Sequence, residues 1–227
     1  MRELQDAIGY TFHNPALLEQ ALTHTSYANE VFRDGLRSYE RLEFLGDSIL
    51  GFTVADYLLS TFPRLHEGDL SKLRAELVCE TSLAETAEAL NLGRYLRLGK
   101  GEEACGGRTK NSIIADVVES VIAAIFLDGG LAPAQKFIYT HVLVDTRRRI
   151  RLNADWKTRL QELVQREKNQ SLTYELVSES GPDHDKHFTV RVLRSGVTVG
   201  QGTGTSKKRA EQAAAREAAE RLYPDEI

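Results

Sequence analysis

Cysteine is scarce in this 227-residue chain, with only Cys79 and Cys105. They lie far apart, with no CxxC spacing and no paired histidines nearby, which excludes a disulfide framework and argues against a zinc site. Long hydrophobic runs are also missing. The first residues, "MRELQDAIGY", contain no apolar signal region, and the longest apolar stretch, "VVESVIAAIF", is interrupted by Glu119 and too short to span a bilayer. A cytoplasmic protein with no membrane partner is expected. Net charge is equally unassertive at -4, which by itself argues against a nucleic-acid partner, because such domains are often strongly basic.

The average hides a division. From Asp155 onward there are 12 Lys and Arg against 12 Asp and Glu, whereas residues 1 to 154 carry 17 against 21. With 41% hydrophobic and 27% charged residues the chain is an ordinary globular protein, long enough for more than one domain.

Residues 1 to about 145 show helical periodicity throughout. In "NPALLEQALTHTSYA", Asn14 is placed as an N-cap, Pro15 at the first helical position, and Leu18, Ala21 and Leu22 on one face. "EGDLSKLRAELV", "TSLAETAEALNLG" and "NSIIADVVESVIAAIFLDGG" follow the same pattern, the last two stopping at glycine. A basic run, "RRRIRLNA", then marks a linker, after which the period changes. A helix "TRLQELVQRE", alternating stretches "LTYELVSE", "HFTVRVLR" and "VTVGQG", and a helix "SKKRAEQAAAREAAERLY" give the order αβββα. The expected architecture is an all-α domain over 1–146, a basic linker over 147–154, and a small α+β domain of three strands and two helices over 155–225. In the last helix Ala210, Ala213, Ala214, Ala218 and Leu222 form a narrow stripe that lets it lie close on the sheet.

Carboxylates are the chemical signal in the first domain. In "YERLEFLGDS", Glu40, Glu43 and Asp47 fall within about 60° of one another on an ideal helix, opposite Leu42, Leu45, Ile49 and Phe52, which are expected to pack on the core. Alone this would be a solvated acidic face. In "KNSIIADVVESVIAAIF", however, Asp116 and Glu119 share a narrow face with Ser112 and Ala123 on a helix otherwise apolar nearly all round. Buried carboxylates three residues apart are costly unless paired or metal-bound. If the two helices face each other, Glu43, Asp47, Asp116 and Glu119 make a cluster suited to one or two hard divalent cations and phosphoester chemistry. The bland alternative is neutralisation by distant arginines such as Arg74. Phe44 projects on the carboxylate side, so it is covered either by another part of the chain or, as we prefer, by a partner subunit.

In the second domain Lys207, Lys208 and Arg209 follow Ser206, placed as an N-cap, where cations oppose the helix dipole. The pattern suits docking of a nucleic-acid phosphate at that helix end, the alternative being a solvated charge run. Thr158, Gln161, Glu162 and Gln165 recur at helical spacing, polar but barely basic, and suit sugar hydroxyls. Duplex RNA exposes 2'-hydroxyls in a wide, shallow minor groove, so a double-stranded RNA partner fits both faces. His184, in the turn "GPDHDK", is placed to enter a neighbouring minor groove or to be an ordinary turn histidine.

With "ERLEFLGDS", "EGDLSKLRAELV", "ADVVESVIAAIFLDGG" and "GTGTSKKRAEQAAA" occurring in this order, the chain resembles the bacterial ribonuclease III family over essentially its full length. The resemblance implies an all-α endonuclease domain that forms a homodimer, and a double-stranded-RNA-binding domain. It further implies magnesium-dependent hydrolysis of both strands of duplex RNA, with manganese able to substitute and no organic cofactor. The metal ligands would correspond to Glu43, Asp47, Asp116 and Glu119, with Asp47 and Glu119 most directly catalytic. Glu40 and Glu67 match supporting acidic positions, and Phe44 matches an aromatic of the dimer interface. Expected products carry 5'-phosphate and 3'-hydroxyl ends with short 3' overhangs, in processing of rRNA precursors and other structured transcripts. Three positions depart from the family pattern: Tyr39 stands where asparagine is usual, Thr25 where arginine is common, and Trp156 where proline or a similar residue is more usual. Without the complete acidic set, the αβββα domain alone would suit a non-cleaving regulator that binds double-stranded RNA. A phosphohydrolase of small substrates would leave that domain unexplained.

Overall fold

In the computed structural model the chain forms two compact units, Met1–Arg148 and Arg149–Ile227. The structure describes residues 1–63, 65–144, 156–167, 170–182 and 186–224. The linker expected at 147–154 lies outside them, as does His184.

The first unit is helical. Its elements are α1 (Arg2–Ile8), α2 (Pro15–Ala21), α3 (Thr25–Tyr27), α4 (Glu40–Thr61), α5 (Glu67–Leu77), α6 (Glu80–Ala89), α7 (Lys100–Ala104), α8 (Asn111–Gly129) and α9 (Leu131–Phe137), with short 3-10 and π turns between some of them. Asn14 caps α2 as expected, its side chain accepting from the amide of Ala16, and Pro15 opens the helix. The apolar helix α8 is the axis of this unit: Val117, Val118, Val121, Ile122 and Ile125 are fully covered by packing against α4, α6, α2 and α9. Its C-terminus is pinned by Asp128, whose carboxylate accepts from the Tyr10 hydroxyl and from the amides of His13 and Asn14, each at 2.8 Å.

Two local expectations change. The helix α6 stops at Ala89 and not at Gly93, because Asn91 takes the left-handed conformation (φ 52°), which its short polar side chain tolerates. On α4 the buried arc runs through Leu42, Gly46, Ile49, Leu50, Thr53, Val54 and Leu58. Phe52, expected on the core side, sits on the flank of that arc, roughly 80° from Leu42, and is 57% exposed.

In the second unit α10 (Trp156–Gln165) precedes an antiparallel sheet, β1 (Leu172–Ser180), β2 (His187–Arg194) and β3 (Val197–Gly204) in that spatial order, and α11 (Lys207–Leu222) closes it. The helix α10 starts two residues earlier than the sequence suggested, at Trp156, which is buried in the core with Leu160, Val164, Val190, Val192 and Val199. On α11 the stripe is broader than expected, with Ala215 and Ala219 buried beside Ala210, Ala214 and Ala218. The alternate glycines of β3 explain how close this helix lies: a Cβ at Gly202 would fall 2.2 Å from the Ala214 amide nitrogen, and one at Gly204 2.6 Å from that of Ala210. Among the described residues, no helix is long and apolar enough to cross a membrane.

Candidate active site

Carboxylates from two crossing helices meet because one residue between them has no side chain. Gly46, one turn after Glu43 on α4, lies against the backbone of Glu119 on α8, where an added Cβ would fall 1.8 Å from the Glu119 carbonyl oxygen. Any side chain at 46 would force the helices apart. The close approach brings one carboxylate oxygen from each of Glu43, Asp116 and Glu119 within 4.8 Å of the other two. All three side chains are partly buried.

Asp47, also expected in the cluster, is exposed and lies outside this three-residue group, although its charge acts on both Glu43 and Glu119. Glu40 is exposed in the first turn of α4, where its Oε1 accepts from the Thr25 hydroxyl at 2.7 Å. Glu67 opens α5, exposed, and accepts from the Ser71 hydroxyl at 2.7 Å. Neither is part of the three-residue group.

The electrostatics are those of acids short of positive charge. Glu119 is pushed up to about 8, by burial first and then by Asp47, Glu43 and Asp116. Glu43 is raised by burial and by Asp116, Glu40 and Asp47. Asp116 is raised by burial and Glu80, while the Tyr39 hydroxyl and the charge of His24 act in the opposite direction. Among the described residues no lysine or arginine forms an ion pair with any of the four, so the alternative of satisfaction by Arg74 finds no support. A hard divalent cation fits this donor set: carboxylate oxygens only, partly dehydrated, converging and mutually repelling.

Residues beyond the carboxylates complete the site. Tyr39 donates from its hydroxyl to Asp116 Oδ2 at 3.2 Å, and Ser120 Oγ donates to the Asp116 carbonyl at 2.9 Å. In the sequence Tyr39 and Thr25 were visible only as departures from a family pattern, yet both place a hydroxyl on an acid of this region. Gly46 carried a readable signal as well, a glycine in the interior of a long helix. Phe44 is 79% exposed, uncovered by its own unit. Leu59 and Phe52 on the same helix are exposed too.

In the second unit Thr158, Gln161, Glu162 and Gln165 lie on the exposed side of α10, opposite Leu160, Leu163 and Val164. Glu162 stands 4.0 Å from the Arg159 guanidinium. Lys207, Lys208 and Arg209 are exposed in the first turn of α11, after Ser206, whose hydroxyl accepts from the Arg209 amide at 3.2 Å. The Arg209 guanidinium donates to Thr205 Oγ1 at 3.1 Å, and the Lys207 ammonium lies 5.9 Å from the centre of the Phe188 ring.

Comparison with known proteins agrees with this fold. Residues 14–146 match the Ribonuclease-III-like family and residues 156–222 the double-stranded RNA binding motif. Ribonuclease 3 of Listeria innocua is 46% identical over 222 residues, covering 97% of this chain and 96% of the relative. Ribonuclease 3 of Desulforamulus reducens is 47% identical over 221 residues, covering 96% and 90%. The crystal structure of the nuclease domain of ribonuclease III from Campylobacter jejuni superposes with a TM-score of 0.58 at 40% identity, covering 63% of this chain and 93% of that one. The chain belongs to the ribonuclease III family, an endoribonuclease region followed by a double-stranded-RNA-binding domain.

Proposed function

We propose that the protein hydrolyses both strands of duplex RNA at the carboxylate cluster of its first domain in a magnesium-dependent reaction, leaving 5'-phosphate and 3'-hydroxyl ends with short 3' overhangs. The observation that carries this reading is the convergence of Glu43, Asp116 and Glu119 within 4.8 Å, with no lysine or arginine paired to them among the described residues. Those three residues would hold the metal, and Asp47, exposed beside them, would complete the ligand set when phosphate is present. The chemistry a bound magnesium or manganese supplies is acidification of a water and neutralisation of charge on the scissile phosphate. The protein residues hold carboxylate oxygens in place, and none need act as a covalent nucleophile. Asp47 and Glu119 are assigned the most direct catalytic parts, Glu40 and Glu67 supporting ones.

In the second domain Lys207, Lys208 and Arg209 would take phosphates, while Thr158, Gln161, Glu162 and Gln165 would face 2'-hydroxyls in the minor groove. His184, in the stretch "GPDHDK", would add a contact in a neighbouring minor groove. A homodimer, with Phe44 at the interface, would give each strand its own cutting site. Support comes from the exposure of Phe44 and from the Campylobacter jejuni nuclease domain, a second structure of which is described by flexibility in the region involved in dimer formation. Processing of rRNA precursors and other structured transcripts in the cytoplasm would be the setting. Incubation of the purified protein with long duplex RNA, with and without magnesium, followed by analysis of product ends, tests the reading. Magnesium-dependent fragments with the stated ends are expected. Duplex binding without cleavage under all metal conditions would instead make the protein a non-cleaving regulator.

A further inference from the structure

Tyr39 is 3% exposed and joins both sides of the acidic cluster. Its backbone carbonyl accepts from the amides of Leu42 at 2.7 Å and Glu43 at 2.9 Å, so it starts the helix that carries Glu43. That same carbonyl takes a longer bond, 3.4 Å, from the Ser120 hydroxyl of α8, and the Tyr39 amide donates to the Thr23 carbonyl at 2.8 Å. The ring packs on His24, with centroids 5.7 Å apart. From this anchored ring the hydroxyl reaches across to α8 and donates to Asp116 Oδ2.

We propose that Tyr39 is a positioning residue for Asp116: its hydroxyl occupies one carboxylate oxygen and holds the side chain so that the other is presented to the metal. An aspartate side chain left to itself rotates about two torsions, and its neighbours Glu43 and Glu119 repel it. A donor on a buried, rigid ring opposes both tendencies. Ligating carboxylates depend on such outer partners for orientation, and losing one typically costs about 10- to 100-fold in metal affinity. This role rests on the reading that Glu43, Asp116 and Glu119 hold a divalent cation.

The test is manganese binding to the full-length protein, read by electron paramagnetic resonance of the free ion, for wild type, Tyr39→Phe and Asp116→Asn. Thermal unfolding without metal and the KM for duplex RNA are measured alongside. Phenylalanine keeps the buried ring and removes only the donor. The manganese dissociation constant of Tyr39→Phe is expected to rise about 10-fold, and the magnesium concentration for half-maximal cleavage to rise with it, at an unchanged KM for RNA. Unchanged manganese affinity in Tyr39→Phe beside clear loss in Asp116→Asn overturns the positioning role and leaves the metal reading standing. A lower unfolding temperature with unchanged metal affinity likewise overturns it, assigning the hydroxyl to packing alone. If wild type binds no manganese, or Asp116→Asn binds as wild type does, the metal reading fails and the positioning role with it.

Discussion

The middle and the C-terminal end of α8 treat their carboxylates in opposite ways. At the C-terminal end Asp128 is surrounded by donors: although burial alone would raise it, the His13 and Asn14 amides and the Tyr10 hydroxyl hold it down to about 2. About two and a half turns earlier Glu119 faces Asp47, Glu43 and Asp116, and is pushed up to about 8. Both acids belong to one helix, so the kind of secondary structure does not separate them. What differs is supply: Asp128 has its hydrogen-bond donors within the fold, and among the described residues no lysine or arginine pairs with Glu119. The first acid is a structural tie; the second has the perturbed character that suits the proposed metal site.

The largest effect that should follow is at Glu119. Glu119→Gln keeps size and hydrogen-bonding shape but removes the ligand charge, so cleavage of duplex RNA should fall by roughly 10²- to 10³-fold or more. Binding to the same duplex, measured by gel shift, should remain nearly intact. Normal cleavage across a magnesium titration would place the site elsewhere and erase the contrast with Asp128.

The contrast also sets opposite pH responses in metal-free protein. Glu119 keeps its proton in the folded state up to about 8 but releases it near its ordinary 4.5 when unfolded. The folded state therefore binds more protons in that window, and this group's contribution to stability is lost as pH rises through it. Asp128 behaves the other way: its contribution is present above its ordinary 3.8 and disappears as pH falls towards about 2. In chelator, Glu119→Gln should flatten the decline in unfolding temperature between mildly acidic and mildly alkaline pH. Asp128→Asn should instead lower stability at neutral pH by roughly 2 kcal/mol and weaken the acid dependence. Identical pH profiles for both variants would contradict the distinction.

A smaller effect is expected in the second domain, where charge is exposed and neither starved nor tied. Changing Lys207 and Lys208 to alanine should weaken duplex binding evenly across sequences and reduce the slope of log affinity against log salt by about 1 for each lysine. Unchanged affinity and slope at moderate salt would remove these lysines from the phosphate contacts.

Much of this was legible from residue order. Helical period in residues 1 to 145, two-residue alternation after 170, and the Asn14 and Ser206 caps are local properties, written in neighbouring side chains and confirmed element by element. Local pattern was less able to place Phe52, whose exposure depends on which arc of α4 meets its neighbours. The same holds for the end of α6, where Asn91 takes the left-handed turn ahead of a glycine two residues later.

Sequence was sufficient to say that acids recur on two helices and that one of those helices is too apolar to carry them at ease, because burial follows from periodicity and the cost of buried charge from its chemistry. Which acids converge was settled by packing. Glu43, Asp116 and Glu119 meet, with Asp47 at their edge, because Gly46 lets two backbones touch, and distance between residues more than 70 apart in the chain is a property of that contact. The Tyr39 hydroxyl on Asp116 has the same origin: a phenol at the start of α4 reaches an acid 77 residues away only because α4 crosses α8.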